Sequence, residues 1–184
     1  RFRTTRGIRS PLVVSIAPMS HDKGTTHLVE AVQRLRGRGV PVELALAGPV
    51  LAPFRRFLAR LEGKARRDAA TSEDERRVEP PSNGPSWLHV LGPVSEQDKR
   101  DILASADIFA MPSRTDSFGI VYLEAWLYGK PVIGARVWGV SDVIHDGEDG
   151  LLVPFGDVAS LASAIEQLLA QPEVRETLGS RGRR

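Results

Sequence analysis

The sequence predicts an α/β fold in which a parallel sheet is wound with helices on both faces. Three observations carry this. Short apolar runs recur six times, longer segments of helical period separate them, and Gly, Pro or small polar residues punctuate the joins. Near-continuous apolar runs are what strands look like when both of their faces are covered. At 184 residues the chain is long enough to bury one sizeable core without disulfides or metals.

Taken in order, the first strand is "LVVSIA" (12–17), followed by a helix over 24–37. The second is "VELALA" (42–47), with a helix over 53–67 behind it. The third is "WLHVLG" (87–92), and the helix at 95–105 opens on Ser95 with Asp98 three residues on, a capping-box pattern. "DIFAMP" (107–112) leads into a helix over 118–128 that stops at Gly129. "PVIGA" (131–135) and "GLLVP" (150–154) complete six strands, and helices over 157–170 and 172–179 end the chain. Two three-stranded halves predict the Rossmann-like order 3-2-1-4-5-6. The stretch "ARRDAATSEDERRVEPPSNGPS" has no apolar period and reads as a mobile loop of about 68–85.

Charge and composition remove several functions. The basic balance sits at the ends, with four arginines in residues 1–10 and three in the last four residues. Without those seven, 18 basic residues face 23 acidic ones, so a groove for nucleic acid is not expected. Residues 1–10 read as a linker or excised end, and 11–184 as a single domain. There is no cysteine, hence no thiolate nucleophile and no Cys-based metal site. His21, His27, His89 and His145 lack ligand spacing, and no metal is expected. No apolar run is long enough to span a bilayer, so no transmembrane segment is expected and the location is expected to be cytoplasmic, or peripheral at the membrane inner face.

Three motifs fail in context. "YGKP" resembles the end of a phosphate-binding loop, but Pro131 follows Lys130 and a helix precedes it. Gly37 and Gly39 follow a helix, and Val42 stands where a dinucleotide fingerprint needs its third Gly. "HDGEDG" (145–150) is too short for a calcium loop and is expected to be a turn entering a strand.

The informative stretch is "PSRTDSFGIVYLEAWLYGKPVI" (112–133), which carries Asp116 at a helix entrance and Glu124 eight residues later, about 12 Å along a helix. Beyond the carboxyl end of a strand, a helix entrance offers unpaired N–H groups to an anion, and Gly119 lets backbone approach closely. Two carboxylates on either side of a diphosphate suit the hydroxyls of a nucleotide sugar. The plain alternative is that Asp116 caps the helix and Glu124 is a solvated or structurally partnered acid. Its neighbours are apolar, so Glu124 reads as an isolated acid in a buried helix.

With "SADIFAMPS", "HDKGTTHLVEAV" and "GVSDVIHDGEDGLLVPFGD", that stretch resembles the C-terminal, donor-binding domain of retaining GT-B glycosyltransferases, the large group that includes glycogen synthases and mannosyltransferases. The resemblance runs from about Val13 to Leu169. It implies one Rossmann-like half of a GT-B fold and a retaining hexosyltransferase. The acceptor, a sugar, glycan, lipid or small molecule, is held by an N-terminal domain missing here, so the fragment alone is expected to be inactive. It further implies that Lys23 neutralises the donor diphosphate, Asp116 contacts the sugar and Glu124 accepts from the ribose diol. Ser117, Phe118, Gly119, Ile120 and Val121 line phosphate and sugar, Gly139 faces the sugar, and backbone near Val90 and Leu91 reads the base. The partner is a UDP-, GDP- or ADP-sugar, with no cofactor. Three positions depart from the family pattern: Asp116 replaces Glu, Ala17-Pro18 replaces Gly-Arg, and Asp142 replaces Glu. Arg114 is a candidate replacement for the missing cation. Two other readings stay open, a non-catalytic nucleotide-sugar sensor and a nucleotide-sugar epimerase of the same fold.

Overall fold

The computed structural model describes residues 2–70, 85–115 and 119–184, with side chains for all of these except 64–70. A short helix α1 (Phe2–Arg6) precedes β1 (Leu12–Ile16), α2 (Thr25–Gly37), β2 (Glu43–Ala47) and α3 (Ala52–Ala70). Then come β3 (Leu88–Gly92), α4 (Glu96–Ser105), β4 (Ile108–Met111) and α5 (Ile120–Leu127). The chain closes with β5 (Val132–Ala135), β6 (Gly150–Val153), α6 (Val158–Ala170) and α7 (Pro172–Gly182). The six strands form one parallel sheet in the predicted order, 3-2-1-4-5-6.

Side-chain alternation splits the core between the two faces. Val13, Leu44, Leu46, Ile108 and Ile133 point to one face and pack under Leu28, Val32, Phe54, Leu161 and Ile165 of α2, α3 and α6. Leu12, Val14, Ala45, Phe109 and Val132 point to the other, under Ile102, Leu103, Tyr122 and Trp126 of α4 and α5. Phe109 meets Tyr122 edge to face at 5.9 Å, and the Tyr122 hydroxyl, buried with the ring, donates to Met111 O at 2.5 Å. Ser95 caps α4 as expected, accepting from Asp98 N at 3.1 Å. Asp98 reciprocates by accepting from the Ser95 hydroxyl at 2.7 Å, because its shorter side chain takes the hydroxyl rather than the backbone N–H.

The ends depart from expectation. Residues 2–6 are helical, and the segment is tied down: Arg3 pairs with Asp107, whose carboxylate also accepts from Leu12 N at 2.7 Å. Arg9 N and Ser10 N each donate to Glu43 Oε1 at 3.0 Å, while His89 Nε2 meets Glu43 Oε2 at 2.7 Å. Burial pushes the Glu43 carboxyl up, but the hydrogen bonds from His89, Ser10 and Arg9 outweigh it and hold it below the usual range. Residues 68–70, expected in the loop, are the last turn of α3; the rest of that predicted loop, 71–84, lies outside the described residues. Pro172 at the start of α7 and Gly182 at its end set that helix three residues longer than expected.

Candidate functional site

Two loops meet where the strand order reverses, at the carboxyl ends of the neighbouring strands β1 and β4. The β1–α2 loop carries His21, Asp22, Lys23 and Gly24. Arg114 N donates to Asp22 O at 2.7 Å, and Lys23 Nζ donates to Thr115 O at 3.1 Å. Ser113, fully buried, donates its hydroxyl to Thr115 O at 2.7 Å. Gly24 adopts φ 70° as the N-cap of α2, and a Cβ there would stand 2.2 Å from Pro112 O. The "KG" of one loop and the "PS" of the other are therefore fitted together through backbone, with the Lys23 ammonium lying across the seam.

Asp116, Ser117 and Phe118 lie outside the described residues. Gly119 is buried and caps α5 at φ 58°, where a Cβ would stand 3.0 Å from Tyr122 Cδ2 and 3.2 Å from Val143 Cγ2. Glycine here is favoured by the left-handed backbone turn, and an added Cβ would in addition press on Tyr122 and Val143. α5 starts two residues later than expected and is not a buried helix. Its Tyr122, Ala125 and Trp126 face the core, Val121 is half-buried against it, and Ile120 (62% exposed), Leu123 and Leu127 face outward. Nor is Glu124 isolated: Lys99 of α4 donates to its Oε1 at 2.7 Å. Sequence reasoning did not single out Lys99, and its one signal there is rarity, four lysines standing among 21 arginines.

The remaining candidates lie in β3 and in the loops that follow β1, β4 and β5. Val90 and Leu91 are half-buried in β3 and pack toward opposite faces, Val90 with the α2 side and Leu91 with the α4 side. Gly139 takes φ 83° in the loop after β5, next to Trp138, which is 87% exposed. Pro18, at the position of the family Arg, is exposed, and its neighbours Ala17 and Met19 bond to the backbone of Ala47 and Pro49. Arg114 lies 3.8 Å from Asp22, both side chains exposed. "HDGEDG" is the expected turn: His145 N and Leu152 N donate to Asp149 and Asp146 at 2.8 Å each. The Asp149 carboxylate also raises the His145 pKa. His21 and His27 pack edge to face on each other at 4.7 Å and on Phe155 at 5.8 and 5.1 Å, and burial, aided by His21, lowers the His27 pKa. Among the described residues no cluster of three or more His, Asp or Glu is arranged to hold a metal, and no helix is long and apolar enough to cross a membrane.

A six-stranded parallel sheet of this order, with helices on both faces, defines a Rossmann-like domain. The chain belongs to the family "Glycosyl transferases group 1", whose model matches residues 1–184. It is 32% identical over 173 residues to the lipopolysaccharide core biosynthesis glycosyltransferase LpsE of Rhizobium meliloti, covering 94% of this chain and 44% of that one. It is also 32% identical over 195 residues to a GDP-mannose-dependent phosphatidylinositol monomannoside mannosyltransferase of Mycolicibacterium smegmatis, covering 100% of this chain and 45% of the relative. Among solved structures it resembles Anabaena HepE in complex with UDP-glucose, with TM-score 0.78 and 23% identity over 99% of this chain and 45% of that one. It likewise resembles the C-terminal domain of a group 1 glycosyl transferase, LpcC, of Francisella tularensis, with TM-score 0.75 and 18% identity over 98% of this chain and 86% of that one. The chain spans less than half the length of the curated relatives it matches here.

Proposed function

We propose that this chain is the donor-binding domain of a retaining hexosyltransferase, acting with an N-terminal domain that presents the acceptor. The seam between the β1–α2 and β4–α5 loops carries the reading: it sets Lys23 against the loop that leads to Asp116 and α5. The substrate is a UDP-, GDP- or ADP-sugar and no cofactor takes part. Charge on the diphosphate is neutralised by Lys23 and the amides entering α5, not by a metal ion. Asp116 holds sugar hydroxyls and Glu124 the ribose diol, while Ser117 to Val121 and Gly139 line the phosphate and sugar and the Val90–Leu91 backbone meets the base. The acceptor hydroxyl oxygen bonds to the anomeric carbon on the face from which the diphosphate departs. The electron pair of the broken C–O bond leaves with the diphosphate, which also takes the hydroxyl proton. The full protein works in the cytoplasm, where nucleotide sugars are its substrate pool. HepE bound to UDP-glucose and the nucleotide-sugar dependence in the name of the mycobacterial relative support the donor class.

Calorimetry on two variants tests the site. Glu124→Ala is expected to weaken free nucleoside diphosphate and nucleotide sugar alike, by about 1.5–3 kcal/mol for a charge-assisted pair of hydrogen bonds. Asp116→Ala is expected to spare the free nucleotide and impair the sugar-bearing donor. Equal losses for both ligands in Asp116→Ala, or none in Glu124→Ala, would refute these roles. The exposed Pro18 favours one second reading, a nucleotide-sugar sensor, since no cation stands there. Glycoside formation by the full-length protein excludes it, and an epimeric sugar as product would favour an epimerase instead.

A further inference from the structure

We propose that Lys99 is a positioning residue: it fixes the Glu124 carboxylate so that the oxygen it leaves open receives the ribose diol of the donor. The inference rests on the proposed role of Glu124. The Lys99 ammonium lies 2.7 Å from Glu124 Oε1 and 3.0 Å from Glu96 Oε2, bridging the first turn of α4 to α5. Its side chain is 19% exposed and that of Glu124 30%, whereas Glu96 stands at the rim, 76% exposed. The inner pair is therefore the one sheltered from solvent, and hydrogen bonding to Glu124 is the leading cause that raises the Lys99 pKa and keeps it charged.

Two features make this arrangement more than a strut between helices. A glutamate on the half-exposed α5 has three rotatable bonds to freeze when it captures a ligand; the ion pair freezes them beforehand, which is how preorganisation lowers the cost of binding. The choice of lysine also matters in a chain with four lysines and 21 arginines. A guanidinium fork takes both carboxylate oxygens in a bidentate pair, while an ammonium engages one. Here Lys99 bonds to Oε1, and a carboxylate has about four lone-pair sites, enough for a lysine and two neighbouring hydroxyls. A purely structural bridge would have no reason to avoid arginine.

The test compares binding of the tightest of UDP, GDP and ADP with its 2′,3′-dideoxy counterpart, by calorimetry on this chain and its variants. The readout is the ratio of the two dissociation constants, which a structural role or a general attraction for phosphate leaves unchanged. The unmodified chain is expected to prefer the parent nucleotide by roughly 10- to 100-fold. Lys99→Met is expected to lower that ratio to about threefold or less while the phosphate contacts persist. A ratio kept in Lys99→Met, or equal weakening of both ligands, overturns the inference and leaves Glu124 in its role. A ratio near one in the unmodified chain overturns the role of Glu124 itself and the inference with it. Should Lys99→Met fail to fold, Lys99→Gln takes its place: a neutral donor is expected to lower the ratio part-way, and an unchanged ratio refutes the proposal.

Discussion

Replacing Gly24 by alanine puts the seam between the two site loops under a defined load. Two terms add. The residue sits at φ 70° and ψ 12°, where a Cβ costs about 1–2 kcal/mol. That Cβ would also lie 2.2 Å from Pro112 O and 2.8 Å from Pro112 C and Cγ, so the two backbones must separate by about 1 Å, an overpacking strain of about 1–3 kcal/mol. The total, about 2–5 kcal/mol, should lower the melting temperature by roughly 2–4 °C per kcal/mol for a chain of this size. Gly39→Ala is the internal control, because Gly39 has φ 84° but nothing within 4 Å of its added Cβ. It should show the backbone term alone, about 1–2 kcal/mol. Urea unfolding of both variants, with calorimetric titration of nucleoside diphosphate, measures the difference. Gly24→Ala should lose binding through the displaced Lys23 to Thr115 contact, and Gly39→Ala should keep it. Equal destabilisation of the two variants would refute the claim that the loops are fitted through backbone at this point.

A second glycine pair tests the packing of α7 on the end of α5: Gly179→Ala would bring a Cβ to 2.1 Å from Gly129 O, whereas at Gly63 of α3 no described residue stands within 4 Å of an added Cβ. Unfolding free energies from urea titration should fall by about 1–2 kcal/mol for Gly179→Ala and rise by up to about 1 kcal/mol for Gly63→Ala, the sign following contact rather than helix propensity. The third prediction concerns acid. Burial and His21 lower the His27 pKa in the folded chain, with Glu30 opposing, so the unfolded chain binds the proton more readily. Stability is therefore fully present above the ordinary imidazole pKa of about 6.5 and is lost as pH falls through it toward the lower folded value. His27→Leu should flatten the drop in urea midpoint between about pH 7.5 and 5.5, and an undiminished drop would reject this assignment. Finally, on the proposal that a further domain presents the acceptor, this chain by itself should bind nucleoside diphosphate weakly and transfer no sugar; robust glycosylation by the 184 residues would contradict that.

The architecture was legible because it rests on periodicity and punctuation. Strands such as Ile108–Met111 and Val132–Ala135 are apolar throughout since both faces of the sheet are covered, and Ser95, Pro172 and Gly129 mark helix ends through local chemistry. The ordering 3-2-1-4-5-6 followed from right-handed crossovers between two halves, while Asp116 and Glu124 stood out as two acids eight residues apart and Lys23 only through the family resemblance. What the sequence could not hold was any fact that depends on which distant segment lies opposite. Glu124 and Lys99 are 25 residues apart and meet only because α4 and α5 lie side by side on one face; from sequence, Glu124 looked unpartnered and its helix looked buried all round. Gly24 looked like an ordinary helix entrance until Pro112, brought in by the pairing of β1 with β4, filled the space its side chain would need. The arginine-rich start looked like solvated linker, yet Asp107 and Glu43 bind it down. Local propensity and period are written in consecutive residues, so the sequence by itself determined the elements and their class; contacts across the sheet exist only after folding, and they alone decided which charges are paired and which glycines are irreplaceable.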